Sequence, residues 1–90
     1  MYQTAGNNTV VTVGTTAVDL LAEGQGRRRL IIQNQGSDNV FVAFGENATT
    51  SNGILLAPGL ALSYDHPAVP DDRISAISNT AGNQVVIQVF

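Results

Sequence analysis

The sequence predicts an all-β fold, a small β-sandwich or jelly-roll-like domain of about eight short antiparallel strands. Three observations predict it. Short runs rich in Val, Ile, Thr and Phe recur along the 90 residues, and such side chains suit the half-buried pleated surface of a sheet. Between these runs a segment containing Gly, Pro, Asn or Asp appears roughly every ten residues, the spacing of strands in sandwiches and small barrels. Apolar residues at helical spacing are interrupted throughout by Gly, Pro or β-branched runs, so no amphipathic helix of useful length is predicted.

Met1 to Asn8 is polar and without period, which reads as an N-terminal arm preceding a single domain over 9–90. Thr9-Val10-Val11-Thr12-Val13 is the first strand. Gly14 and Thr15 break it, and Thr16 to Leu21 resumes as the second, with Val18 and Leu20 on one face. Ala22 to Gly26 is a loop on composition. Arg27 to Gln35 and Val40 to Gly45 then read as a long hairpin around the turn Gly36-Ser37-Asp38-Asn39. Gly36 is free to take positive φ there, and Asp38 and Asn39 can bond their own backbone. Leu30-Ile31-Ile32 and Val40 to Phe44 are unbroken apolar runs, so the hairpin is expected to lie in mid-sheet with both faces covered.

Glu46 to Gly53 has no apolar residue larger than Ala and is expected to be a long surface loop. Ile54-Leu55-Leu56 is a short strand ended by Ala57-Pro58-Gly59, where Pro followed by Gly fits a type II turn. Leu60, Leu62 and Tyr64 alternate along the next strand and are expected to share its buried face. Asp65 to Asp72, with two prolines, reads as an irregular crossing connection that holds the single His66. Arg73 to Ser78 forms a strand, Asn79 to Asn83 turns the chain, and Gln84 to Phe90 closes it as a strand buried on one face and partly covered on the other.

Composition narrows the function. Burying a Val, Leu, Ile or Phe side chain is worth roughly 1.5–3 kcal/mol, while ordering each residue costs about 1–2 kcal/mol of backbone entropy, so a domain this small has little stability to spare. There is no Cys for a disulfide, 43% of residues are hydrophobic and only 12% are charged, against about a quarter in a typical soluble domain. Such a chain gains stability by association. A homo-oligomer or docked subunit is expected. The net charge of −3 with four Arg and no Lys argues against nucleic acid, whose binding depends on neutralising phosphates. Met1 to Asn8 has neither a basic nor an apolar region of an export signal, and no apolar run approaches a membrane span. No membrane contact is expected.

Catalytic and ligand motifs are weak. Ser63, Asp65 and His66 lie too close along one strand and its exit to converge as a hydrolase triad, so no enzymatic activity is expected. Asp65, Asp71 and Asp72 do not follow a calcium-loop spacing and read as solvated acids. Gly24-Gln25-Gly26 has Arg29 where a phosphate loop needs its third Gly, and a strand follows instead of a helix. Neither a cofactor nor a metal is expected. Asn7-Asn8-Thr9 and Asn47-Ala48-Thr49 match the glycosylation pattern, which without an export signal carries no weight. Arg27-Arg28-Arg29 cannot form one basic stripe on a regular strand, because Arg28 alternates to the face opposite Arg27 and Arg29. The triplet fits either salt bridges within the subunit, for instance to Glu23 or Asp19, or charge-assisted contacts to a partner's carboxylates. Carbohydrate platforms favour exposed aromatic rings, and this chain has no Trp and only Tyr2 and Tyr64.

At Val13 to Val18, Arg28 to Asn34, Val40 to Gly45, Thr49 to Gly59 and Ile74 to Ser78 the chain resembles small structural proteins of tailed bacteriophages. These are strand and turn residues, so the resemblance carries no catalytic residue. It implies a virion protein made in the host cytoplasm and mounted on the capsid surface, a decoration or cement subunit that clamps the major capsid protein. A homo-oligomer follows from the same resemblance, a trimer favoured over a dimer, because multivalent engagement compensates a weak single contact. Partner-binding residues are then expected in the arm, Tyr2 and Gln3, in the Arg run, Arg27 and Arg29, and in the polar loop, Glu46, Asn47, Thr49, Thr50 and Asn52. The alternative is a tail- or head-fibre-associated β-domain that binds a host surface polysaccharide through the loop Glu46 to Gly53.

Overall fold

The computed structural model describes residues 7–24, 27–65 and 68–89. Eight strands run through them: β1 (Asn7–Val13), β2 (Val18–Leu21), β3 (Arg29–Asn34), β4 (Val40–Phe44), β5 (Ile54–Leu56), β6 (Ala61–Asp65), β7 (Ile74–Ser78) and β8 (Asn83–Val89). They form two four-stranded antiparallel sheets. Sheet A has the order β1-β8-β3-β6 and sheet B the order β2-β7-β4-β5. Every connection except β4 to β5 carries the chain from one sheet to the other. That is a jelly-roll connectivity, one of the sandwich topologies that the strand count and turn spacing leave open.

Alternation puts one set of side chains from each strand between the sheets. Leu30, Ile32, Val85 and Ile87 come from sheet A, and Val40, Val42, Leu56, Ile74 and Ala76 from sheet B, all buried. Leu62 and Tyr64 close one side as half-buried residues of the edge strand β6, with the Tyr64 ring edge-on to Phe44 at 5.8 Å between centroids. Leu60 departs from the expected face: it precedes β6, closes the turn by donating its N–H to the Ala57 carbonyl at 3.0 Å, and is exposed. Gly59 has the positive φ that a type II turn requires at this position.

Further expectations are corrected. β3 and β4 do not pair as a hairpin; β3 lies between β8 and β6 in sheet A, and β4 between β7 and β5 in sheet B. Each strand is central, as its apolar run suggests, but in a different sheet, and the expected cover on both faces is corrected: Ile31 and Phe41 are only half-buried on the outer faces of their sheets. Two buried asparagines explain the crossing. Asn34, at the end of β3, donates from Nδ2 to the Asp38 carbonyl and to the Leu56 carbonyl of sheet B, both at 2.8 Å, and its Oδ1 accepts from the Gly36 N–H. Asn83, at the start of β8, accepts from the Asp38 N–H at 3.1 Å and donates to the Ser78 hydroxyl of sheet B at 3.0 Å. A crossover is thus the arrangement that satisfies these buried amides. Asp38 does bond the following backbone, through the Asn39 N–H. Gly36 has no positive φ; it is needed for space, since a Cβ there would lie 2.8 Å from the Asn83 Cα.

The arm boundary also moves. Asn7 and Asn8 belong to β1, paired with Val89 and Gln88, so the strand starts two positions before the apolar run that announces it. Their polar side chains hide a strand held by backbone bonds to β8. The rest of the arm lies outside the described residues.

Candidate partner interface

The expected partner-binding residues divide three ways. Tyr2 and Gln3 lie outside the described residues. Arg27 is corrected: its guanidinium is turned into the domain, with the residue only 9% exposed. Nη1 donates to the carbonyls of Pro70 and Asp72 at 2.6 and 3.1 Å, and Nη2 to that of Ala22 at 2.5 Å. The β2–β3 connection is thereby tied to the β6–β7 connection, reinforced by the Gly24 N–H on the Asp71 carbonyl. Arg27 lies before β3 begins, so strand alternation does not govern its direction. Arg29 is the first residue of β3 and exposed, and meets its cross-strand neighbour Asp65 at 3.4 Å. Asp19 pairs with Arg73 at 2.6 Å instead of with the triplet.

The loop residues Glu46, Asn47, Thr49, Thr50 and Asn52 are all exposed and lie together. Their segment joins β4 to β5 within sheet B. It is held at both ends. Ala48 is buried; its N–H donates to the Ser75 hydroxyl at 2.8 Å, which donates in turn to the Glu46 carbonyl at 2.7 Å. Asn52 Oδ1 accepts from the Thr49 N–H at 2.7 Å, Asn52 Nδ2 donates to the Asn47 carbonyl, and Thr49 Oγ1 accepts from the Asn52 N–H. The tip is therefore a set turn with Thr49 and Asn52 as its frame.

Beside that loop is an apolar row on the outer face of sheet B. Phe41 stands opposite Leu55 on β5 and opposite Ile77 on β7, so the three side chains line up across the strands on the face away from the core. Leu55 is 53% exposed, and Phe41 and Ile77 are half-buried. Gly53 connects loop and row: a Cβ there would be 2.7 Å from the Phe41 Cβ, so the loop backbone rests directly on that side chain. Ile54, directly after Gly53, adds exposed apolar surface at the start of β5. The signal for this row is present in the sequence. Ile54-Leu55-Leu56 and Val40 to Phe44 are unbroken apolar runs, and in a two-layer fold an unbroken run must present some of its residues outward.

Between the sheets the space is filled by aliphatic side chains and the amides of Asn34 and Asn83. Among the described residues no cavity opens there, and no group of His, Asp or Glu side chains converges.

No family model and no curated protein matches the chain. Solved structures share its fold. A de novo designed double-stranded β-helix is similar over 97% of this chain and 100% of its own, with a TM-score of 0.54 and 17% identity. A cupin-2 domain containing protein from Shewanella frigidimarina is similar over 100% of this chain and 76% of its own, with a TM-score of 0.56 and 10% identity. At these identities the likeness is one of architecture.

Proposed function

We propose that this chain is a non-enzymatic structural subunit of a tailed-phage virion, a decoration or cement protein that binds the major capsid protein on the outer shell. The observation that carries this reading is the outer face of sheet B, where Leu55, Phe41 and Ile77 form an apolar row bordered by the fixed polar loop Glu46 to Gly53. An apolar centre with a polar rim is the anatomy of a protein-binding surface. The resemblance of the strand and turn residues to phage structural proteins supplies the partner, and the low charge content supports life in an assembly.

The test is co-sedimentation of the purified chain with assembled shells that lack it. The native chain is expected to pellet with shells and to raise their thermal stability. Leu55→Asp, at an exposed edge position, is expected to fold normally and to weaken shell binding by about tenfold or more. Undiminished binding by that variant would remove the apolar row from the interface, and no binding by the native chain would remove the shell as partner. The set tip of the loop favours one other reading, a fibre-associated domain that grips host polysaccharide with Thr49, Thr50 and Asn52. Saturable binding to host polysaccharide, abolished by Thr50→Ala and indifferent to Leu55→Asp, would select it.

A further inference from the structure

The sandwich has four sheet edges, and three are blunted. β2 is four residues long, carries Asp19 and shifts register between Asp19 and Leu21. β5 is three residues long and leaves into the Pro58 turn. β6 ends on Asp65, whose carboxylate meets Arg29. Short length, bulges, charge and proline are the devices that keep edge strands from pairing with other chains. β1 has none of them. It runs for seven residues, Asn7–Val13, with unbroken register against β8, and contains no charge and no proline. Among the described residues no strand lies on its other side.

Its free backbone groups can be assigned. The Gln35 N–H donates to the Gln84 carbonyl, so residues 84, 86 and 88 of β8 direct their backbone groups to β3 and residues 83, 85, 87 and 89 direct theirs to β1. Through the β1–β8 register, Thr9, Val11 and Val13 use their groups on β8, while Asn8, Val10 and Thr12 direct theirs outward. Val10 is the midpoint of the strand and lies in that outward set. Its side chain is 56% exposed on the outer face of sheet A, opposite Val86.

We propose that two copies of this chain join edge to edge through β1, antiparallel about a two-fold axis at Val10, making one continuous sheet across the dimer. Val10 then pairs with Val10 of the second copy, and Asn8 with Thr12 in both directions, so the outward groups of all three residues are satisfied by the symmetry itself. On the outer face the Val86 and Val10 side chains of both copies form one apolar row across the seam, burying what each copy exposes. An uncharged strand suits this self-pairing, because any charge at Val10 would oppose its own image. The seam is separate from the sheet B surface, so it leaves the proposed shell contact free and stands whether or not that reading holds.

The experiment combines mass with residue-resolved amide exchange. Analytical ultracentrifugation of the native chain across a dilution series is expected to give twice the 9.4 kDa chain mass. In the dimer the amides of Asn8, Val10 and Thr12 are expected to exchange as slowly as those of Thr9 and Val11. Val10→Lys sets like charges against each other on the axis and is expected to raise the dimer Kd on the order of a hundredfold. In that variant Asn8 and Thr12 exchange fast while Thr9 and Val11 stay protected. A monomeric or trimeric mass overturns the proposal, and so does a dimer whose Val10 amide exchanges freely. Should Val10→Lys fail to fold, the exchange pattern of the native chain decides by itself.

Discussion

Two polar connections of this sandwich each do the opposite of what their sequence suggests. Gln35 to Asn39, between β3 and β4, is short, polar and has the composition of a hairpin turn; it carries the chain across from sheet A to sheet B. Gly45 to Gly53, between β4 and β5, is longer and looks like an open loop; it joins the two strands that do pair as neighbours. The difference lies in where the polar side chains go. At the crossover, Asn34 and Asn83 are fully buried and their amides bind both sheets. In the hairpin loop, Thr49 and Asn52 are exposed and bind only the loop itself. Turn composition therefore identifies a change of direction, and the buried hydrogen-bond partner decides which sheet receives the chain.

The contrast can be broken most severely at the crossover. Asn83→Ala removes the acceptor for the Asp38 N–H and a partner of the buried Ser78 hydroxyl, and the expected loss is about 3 kcal/mol in a chemical denaturation experiment. A loss below about 1 kcal/mol would show that the amide does not hold the crossing. Gly36→Ala comes next. Its Cβ would press on the Asn83 backbone and side chain, with an expected cost of about 2 kcal/mol read from the same denaturation midpoints. Asn52→Ala in the hairpin loop should cost about 1 kcal/mol or less, because the groups it frees reach water. Amide exchange is then expected to quicken at Thr49 while the β3–β4 crossover is unaffected. Smallest is Arg29→Ala: its ion pair with Asp65 is solvent-exposed, so a change within about 0.5 kcal/mol is expected in 150 mM salt, roughly physiological ionic strength.

The strands were legible because they are local. β-branched and aromatic runs locate β2 to β8 closely, and Pro58-Gly59 announces its own turn type. Sheet membership was not, because the same alternation serves a hairpin and a crossover, and the residue that settles the matter for Asp38 is Asn83, distant in the chain. β1 begins two residues before its apolar run because Asn7 and Asn8 have poor strand propensity and are held by backbone pairing. In the candidate interface, the exposure of Glu46, Asn47, Thr49, Thr50 and Asn52 followed from the lack of any large apolar side chain, whereas the burial of Ala48 against Ser75 did not. The direction of Arg27 did not follow from local pattern, since the carbonyls that capture it belong to irregular segments around Ala22, Pro70 and Asp72. The apolar row of Phe41, Leu55 and Ile77 required knowing that β4, β5 and β7 are neighbours in one sheet.

The same distinction between polar groups used inside and groups presented outside underlies the proposed function, in which the shell is met by sheet B and its loop. The measurement that bears on it most directly is the ratio of this chain to the major capsid protein in purified virions, by quantitative peptide mass spectrometry. A decoration subunit predicts a fixed stoichiometric ratio to the shell protein, conserved between preparations. A few copies per particle, or none, would contradict a shell role.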